Sequence, residues 1–118
     1  MIIQSASMEP TLKSGDRILV LNRAYQFFLK RGQLVVLSLP TLTYDTVANN
    51  NATYFVPKTL LVKRLVALEG DNIAHSGFAE PIPIGHVFVL ADNPNGNDSR
   101  LWGPLPLSSL RGIVIAHI

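Results

Sequence analysis

Short β-branched and aliphatic runs recur along this chain, each closed within a few residues by glycine, proline, asparagine or aspartate, and nowhere does helical apolar spacing take over. A chain patterned this way buries its side chains through strands. The pattern predicts strands over residues 17–22, 33–39, 59–68, 86–91 and 112–118, with turns at Ser14-Gly15-Asp16, Lys30-Arg31-Gly32 and Glu69-Gly70-Asp71. Several runs are apolar on both faces, which suits central strands of a closed or sandwiched sheet rather than a one-sided surface sheet. The expected fold class is therefore mainly β, a barrel or sandwich with little helix. At 118 residues the chain fits a single domain, 1–118, and its 47% apolar content against 15% charged residues is enough to bury a core. Pro40, the Asn49-Asn50-Asn51 run and Pro57 bracket a polar stretch, so residues 40–58 are expected to leave the sheet as a loop or hairpin. A second polar stretch, residues 92–100, lies between apolar runs and invites a functional explanation.

Composition narrows the chemistry. Ten Lys plus Arg and eight Asp plus Glu are scattered rather than clustered, which argues against nucleic acid as a partner. The absence of cysteine excludes disulfides, zinc–thiolate sites and thiol nucleophiles, so any covalent nucleophile must be oxygen or nitrogen. No apolar run approaches the ~20 residues that cross a bilayer, and Met1-Ile2-Ile3 gives way to Gln4 and Ser5 before a secretory signal could develop. His75, His86 and His117 have neither an adjacent acidic residue nor the spacing of metal ligands. Structural or surface roles are expected for them, with no metal and no cofactor.

Two segments remain that could form a nucleophile and its base. Near the start stands Ser5-Ala6-Ser7-Met8-Glu9-Pro10-Thr11-Leu12, which without further context reads as a polar turn. In the run from Leu60 to Leu68, Lys63 and Arg64 interrupt an otherwise apolar strand. Alternation puts Lys63 with Leu61, Leu65 and Ala67, and Arg64 on the other face with Leu60, Val62, Val66 and Leu68. Both side chains could snorkel to solvent. A buried lysine, however, loses proton affinity and becomes a competent general base, whereas arginine stays protonated. Serine needs such a base before it can attack, and a Ser–Lys pair is the arrangement this sequence best supports. In the second polar stretch, Asp98 and Arg100 fall on one side of an extended segment and Asp92 could meet Arg64. Such pairs either brace a loop or are ordinary surface contacts of about 0–1 kcal/mol.

Three segments in this order resemble the type I signal peptidases, and more closely their mitochondrial relatives, the inner-membrane peptidases. Residues 7–12 match that family's Ser-Met-x-Pro-Thr-Leu box, Lys63-Arg64 through Gly70-Asp71 match its Lys-Arg strand, and Asp92-Asn93 with Asp98-Ser99-Arg100 match its Asp-Asn to Asp-Ser-Arg loop. The resemblance implies a signal-peptidase-like β-fold and a Ser–Lys endopeptidase that removes targeting peptides from precursors at a membrane. It makes Ser7 the nucleophile and Lys63 the base. The Ser7 backbone N–H and the Ser5 hydroxyl become oxyanion donors, and Arg64, Asp92, Asp98 and Arg100 supporting residues. Leu19-Val20-Leu21-Asn22, Arg31-Gly32, Val66-Ala67-Leu68-Glu69-Gly70-Asp71 and Trp102-Gly103-Pro104 are similar to the second catalytic subunit of the mitochondrial enzyme, whereas Asp98-Ser99-Arg100 fits the first subunit and the bacterial enzymes. The second type is the one expected.

By the same resemblance, precursor substrates bind as extended peptides, the membrane surface is a partner, and a second peptidase subunit is a further candidate. The location implied is the intermembrane-space side of the mitochondrial inner membrane, with the outer face of a bacterial plasma membrane as the alternative. Two departures from the family pattern stand out. Many bacterial members place a serine that bonds the catalytic amine where this chain has Gly96, with Asn95 and Asn97 as the nearby substitutes. Members also carry a transmembrane helix just before the nucleophile box, so either an anchor lies outside this sequence or an apolar rim including Met1-Ile2-Ile3 docks instead. Competing readings are a bacterial-type signal peptidase I, a catalytically silent peptidase-like binding subunit, and a self-cleaving repressor-type peptidase. The last fits poorly, with six residues ahead of Ser7.

Overall fold

The computed structural model describes residues 1–21, 29–38, 41–43, 54–56, 60–73 and 80–118. Its strands are β1 (Ile18–Leu21), β2 (Leu34–Ser38), β3 (Thr41–Thr43), β4 (Tyr54–Val56), β5 (Leu60–Ala67), β6 (His86–Leu90), β7 (Leu105–Pro106) and β8 (Leu110–His117); a one-turn helix α1 (Ser99–Trp102) and a 3-10 turn (Leu107–Ser109) lie among the last of them. Six strands form one sheet in the order β1-β8-β2-β5-β6-β7, with every neighbouring pair antiparallel. The mainly β class with little helix is what the residues form.

Strand β2 shows why the apolar runs are two-sided. Val35 and Leu37 enter a cluster with Leu65, Val87, Val89, Leu105, Leu110 and Ile113. Val36, between them, enters another with Ile3, Met8, Leu12, Ile18 and Val62. Burial of each such side chain contributes roughly 1.5–3 kcal/mol, so the sheet is stabilised through both faces. The second cluster also positions the site, because it holds the N-terminal segment on the sheet beside β5.

The expected strands correspond to β1, β2, β5, β6 and β8, except that β8 starts two residues earlier than spacing implies; Asn22, Leu39 and Thr59 lie outside the described residues. Within 40–58, β3 and β4 pair antiparallel as their own two-stranded sheet, Thr41 opposite Val56 and Thr43 opposite Tyr54. Strict alternation along β5 fails at one place. Where β5 meets β6 the register shifts between Leu65 and Ala67, placing one extra residue on β5. Beyond that bulge the faces exchange: Ala67 joins Ile73, Ile82 and Phe88, and Leu68 packs against the Leu61 and Leu65 cluster. The sequence pattern has no marker for an inserted residue inside a continuous apolar run. Up to Leu65, alternation and structure agree.

Candidate active site

Ser7 stands on a turn held from below by its neighbour. Met8 and Leu12 are fully buried, one helical turn apart and joined by a Leu12 N–H to Met8 C=O bond of 2.9 Å. Their burial presses residues 5–12 onto the sheet while Ser7 stays half-exposed. The Ser7 and Ser5 hydroxyls lie 3.1 Å apart, and the Ser7 N–H donates to the Ser5 hydroxyl oxygen at 3.3 Å.

Lys63, opposite Val35 in the middle of the sheet, is 2% exposed. Burial lowers its pKa from the ordinary lysine value, opposed by the negative charge of Asp98, which raises it. Arg64 follows the opposite course and reaches the rim. Its Nε and Nη2 clasp the two oxygens of Asp92 at 2.9 and 2.8 Å, and its Nη1 donates to the Gly32 carbonyl at 2.6 Å. Thr11 donates its hydroxyl to the same carboxylate at 2.5 Å, so Asp92 ties the N-terminal turn to β5. Those bonds, Arg64 first, hold the Asp92 carboxyl below its usual range against the opposing effect of burial.

Asp98 is 1% exposed. Burial pushes its carboxyl up, but bonds from the Arg100 side chain and the backbone N–H groups of Ala91 and Arg100 together bring it below the usual value. The distances are 2.8 Å from Ala91 N, 2.9 Å from Arg100 N and 2.8 Å from Arg100 Nη2. Arg100 Nη2 also reaches the carbonyls of Pro94 and Gly96, each at 3.3 Å, bracing the turn between them. In that turn Asn93 is followed by Pro94, Asn95 and Gly96, and the Gly96 N–H closes it on the Asn93 carbonyl at 2.9 Å. These residue types favour a type I turn.

The turn packs directly on the segment that carries Ser7. The Asn93 N–H donates to the Ser7 carbonyl at 2.9 Å and its side-chain amide to the Ala6 carbonyl at 3.0 Å. Gly96 comes so close that a Cβ there would lie 3.2 Å from Ser7 Cβ and 2.7 Å from Ala91 Cβ. Its role is steric, since its backbone is outside the positive-φ set of glycines. Neither Asn95 nor Asn97 bonds the Lys63 amine among the described residues, and both are exposed.

Hydrogen bonds thus link Ser5, Ser7, Asp92, Asp98, Arg64 and Arg100 to one another or to the 93–96 turn, and Lys63 lies beside Arg64 on β5, where the charge of Asp98 acts on it. Among the described residues the Ser7 hydroxyl bonds to Ser5, and no hydrogen bond joins it to the Lys63 amine. A cleft of about 370 Å³ opens beside Ser7, lined by Met1, Ile2, Gln4 and Ser5 on one side and by Leu60, Leu61 and Val62 on the other. Sequence reasoning passed over Thr11, Gly32 and the grip of Asn93. The residue types of the 93–96 turn were the available signal for the last. Elsewhere His86 Nδ1 lies 2.9 Å from the Ile84 carbonyl, and His117 meets Asp16 at 3.2 Å through the β1–β8 pairing; His75 is outside the described residues.

The family model described as "Signal peptidase, peptidase S26" matches residues 1–79 and 74–118, and the chain belongs to that family. The chain is 32% identical over 120 residues to "Mitochondrial inner membrane protease subunit 1" of Homo sapiens, covering 95% of this chain and 64% of the relative. It is also 32% identical over 136 residues to "Thylakoidal processing peptidase 1, chloroplastic" of Arabidopsis thaliana, covering 93% and 38%. Against "Probable signal peptidase I-1" of Synechocystis sp. it is 30% identical over 135 residues, covering 93% and 65%. The chain therefore spans just under two thirds of the human relative's length. The mitochondrial relatives reported are first-subunit proteins, which corrects the expected subtype.

Proposed function

We propose that this chain is a Ser–Lys endopeptidase that removes targeting peptides from precursor proteins at a membrane. Ser7 Oγ attacks the scissile carbonyl while the neutral Lys63 amine takes its proton, directly or through one water, and passes it to the leaving amine. Water then hydrolyses the acyl-enzyme, with Lys63 as base again. The substrate carbonyl oxygen replaces the Ser5 oxygen as acceptor of the Ser7 N–H, and the freed Ser5 hydroxyl turns to donate to the same oxyanion. The observation that carries this reading is Lys63. Lys63, a residue 2% exposed whose pKa is lowered by burial, follows Leu61 and Val62 on β5, and those two residues line the cleft that holds Ser7. In enzymes without substrate the nucleophile–base bond is often loose and tightens on binding.

The substrate lies extended in the cleft between the N-terminal segment and the start of β5, main-chain bonds giving affinity and the apolar walls selecting small side chains. The names of the relatives support a membrane setting, with the intermembrane-space side of the mitochondrial inner membrane as the proposed location and a second peptidase subunit as a proposed partner. The competing reading, a silent binding subunit, draws on the Ser5–Ser7 hydroxyl contact in place of a Ser7–Lys63 bond. Cleavage of a precursor-derived peptide in detergent micelles, with products identified by mass, separates the two. Wild type should cut at one bond while Ser7→Ala and Lys63→Ala do not. Cutting that survives Ser7→Ala would sink the proposal, and a folded wild type that never cuts would favour the silent subunit.

A further inference from the structure

We infer that Asn93 is a positioning residue for the oxyanion donor, holding the Ala6–Ser7 peptide plane so that the Ser7 N–H faces the reacting carbonyl; the inference rests on the peptidase reading above. A trans peptide is planar, so the Ala6 C=O and the Ser7 N–H are opposite ends of one rigid unit. The Asn93 side-chain amide donates to that C=O at 3.0 Å. The Glu9 N–H also donates to it, at 3.1 Å, but belongs to the same short turn and moves with it. Among the described residues, Asn93 is thus the contact that ties this peptide plane to another part of the fold. Its own N–H donates to the Ser7 C=O at 2.9 Å, so both peptide units flanking the nucleophile are gripped by one residue.

The grip is itself held. The Asn93 Oδ1 accepts the Asn95 N–H at 3.0 Å, so the side-chain amide orientation is set at both ends: its oxygen faces a donor and its nitrogen faces an acceptor. Asn93 opens the turn closed by the Gly96 N–H, and Arg100 reaches the carbonyls of Pro94 and Gly96 from outside. Rotation of the Ala6–Ser7 plane would break the Asn93 side-chain bond. A donor fixed before the oxyanion forms costs nothing to reorient at the moment of reaction, whereas a swinging one loses most of its effect.

Two variants test this. Asn93→Ala removes both side-chain bonds, to the Ala6 carbonyl and from the Asn95 N–H, and keeps the backbone N–H to Ser7. Asn93→Asp keeps the size and the acceptor for Asn95 but replaces the donor to Ala6, and is assayed on the plateau of its own pH profile. Both should lose about tenfold or more in kcat on the precursor peptide with KM within about twofold, and the pH midpoint of Asn93→Ala should stay at the wild-type value. Wild-type kcat in Asn93→Asp would overturn the inference. So would a loss confined to KM, a moved midpoint in Asn93→Ala, or failure of Asn93→Asp to fold, since each would mean that the residue serves the cleft, the base or the loop. Ser7→Ala run alongside keeps the two claims apart. If that variant still cuts, the peptidase reading itself has failed; if it is dead and Asn93→Asp is fully active, only the role of Asn93 has failed.

Discussion

Truncation of Asp98 to alanine removes the acceptor of two backbone N–H groups at once. The Ala91 N–H is buried, and without the carboxylate it loses its partner, at a cost of about 1–3 kcal/mol. The Arg100 N–H at the start of α1 loses its cap, worth about 1 kcal/mol. Release of the cost of burying the carboxylate works the other way, so a net loss of about 2–3 kcal/mol is expected. The ion pair with the exposed Arg100 head group adds nothing to that figure, because water screens it. Urea unfolding followed by circular dichroism at pH 7 measures the difference.

The pH dependence supplies a second check. The folded-state pKa of Asp98 is depressed, so its contribution is present above the unfolded value of 3.8 and is lost as pH falls through the lower folded value. The gap between wild type and Asp98→Ala should therefore narrow in acid. A loss below about 0.5 kcal/mol at pH 7, or a gap that persists unchanged in acid, would refute this reasoning. Asp98→Asn isolates the electrostatic part. Without the carboxylate's field, burial alone acts on Lys63, and the rising limb of activity should move to lower pH.

Two further outcomes follow from the same contacts. Gly96→Ala puts a Cβ 2.7 Å from Ala91 Cβ and 3.2 Å from Ser7 Cβ, so the 93–96 turn must move; we expect about 1–3 kcal/mol of destabilisation and impaired cleavage, and full activity with unchanged melting would contradict the close approach. Lys63→Met should abolish cleavage yet melt above wild type at neutral pH, by roughly 1 kcal/mol, because an apolar side chain replaces a buried amine. The sign follows from linkage: with the folded pKa below the unfolded value of 10.5, wild type gains stability as pH rises between the two, so the advantage of Lys63→Met should close toward pH 10.5. Thermal melts across that range decide it.

Much of the fold was legible because the long strands are continuous apolar runs ended by Gly, Pro, Asn or Asp, as β2 and β6 are. Short pieces were not. Leu105–Pro106 carries too few residues to show a period, and α1, four residues long, is set by the Asp98 cap and Gly103 rather than by helical spacing. The bulge after Leu65 depends on pairing with β6, which no local pattern encodes. At the site, the residue types of Ser7, Lys63 and the two Asp–Arg pairs were visible as departures from their surroundings. Thr11 and Asn93 were hidden because threonine and asparagine are ordinary in turns, and their partners lie more than eighty residues away in sequence.

The central claim is that a buried, neutral Lys63 takes the proton of Ser7, and the pH–rate profile of peptide cleavage by wild type and Lys63→Arg tests it most directly. The account expects wild-type activity to rise through one ionisation below the ordinary lysine value of 10.5 and to be lost at every pH in Lys63→Arg, whose guanidinium stays protonated. Cleavage at comparable rates by Lys63→Arg would contradict it.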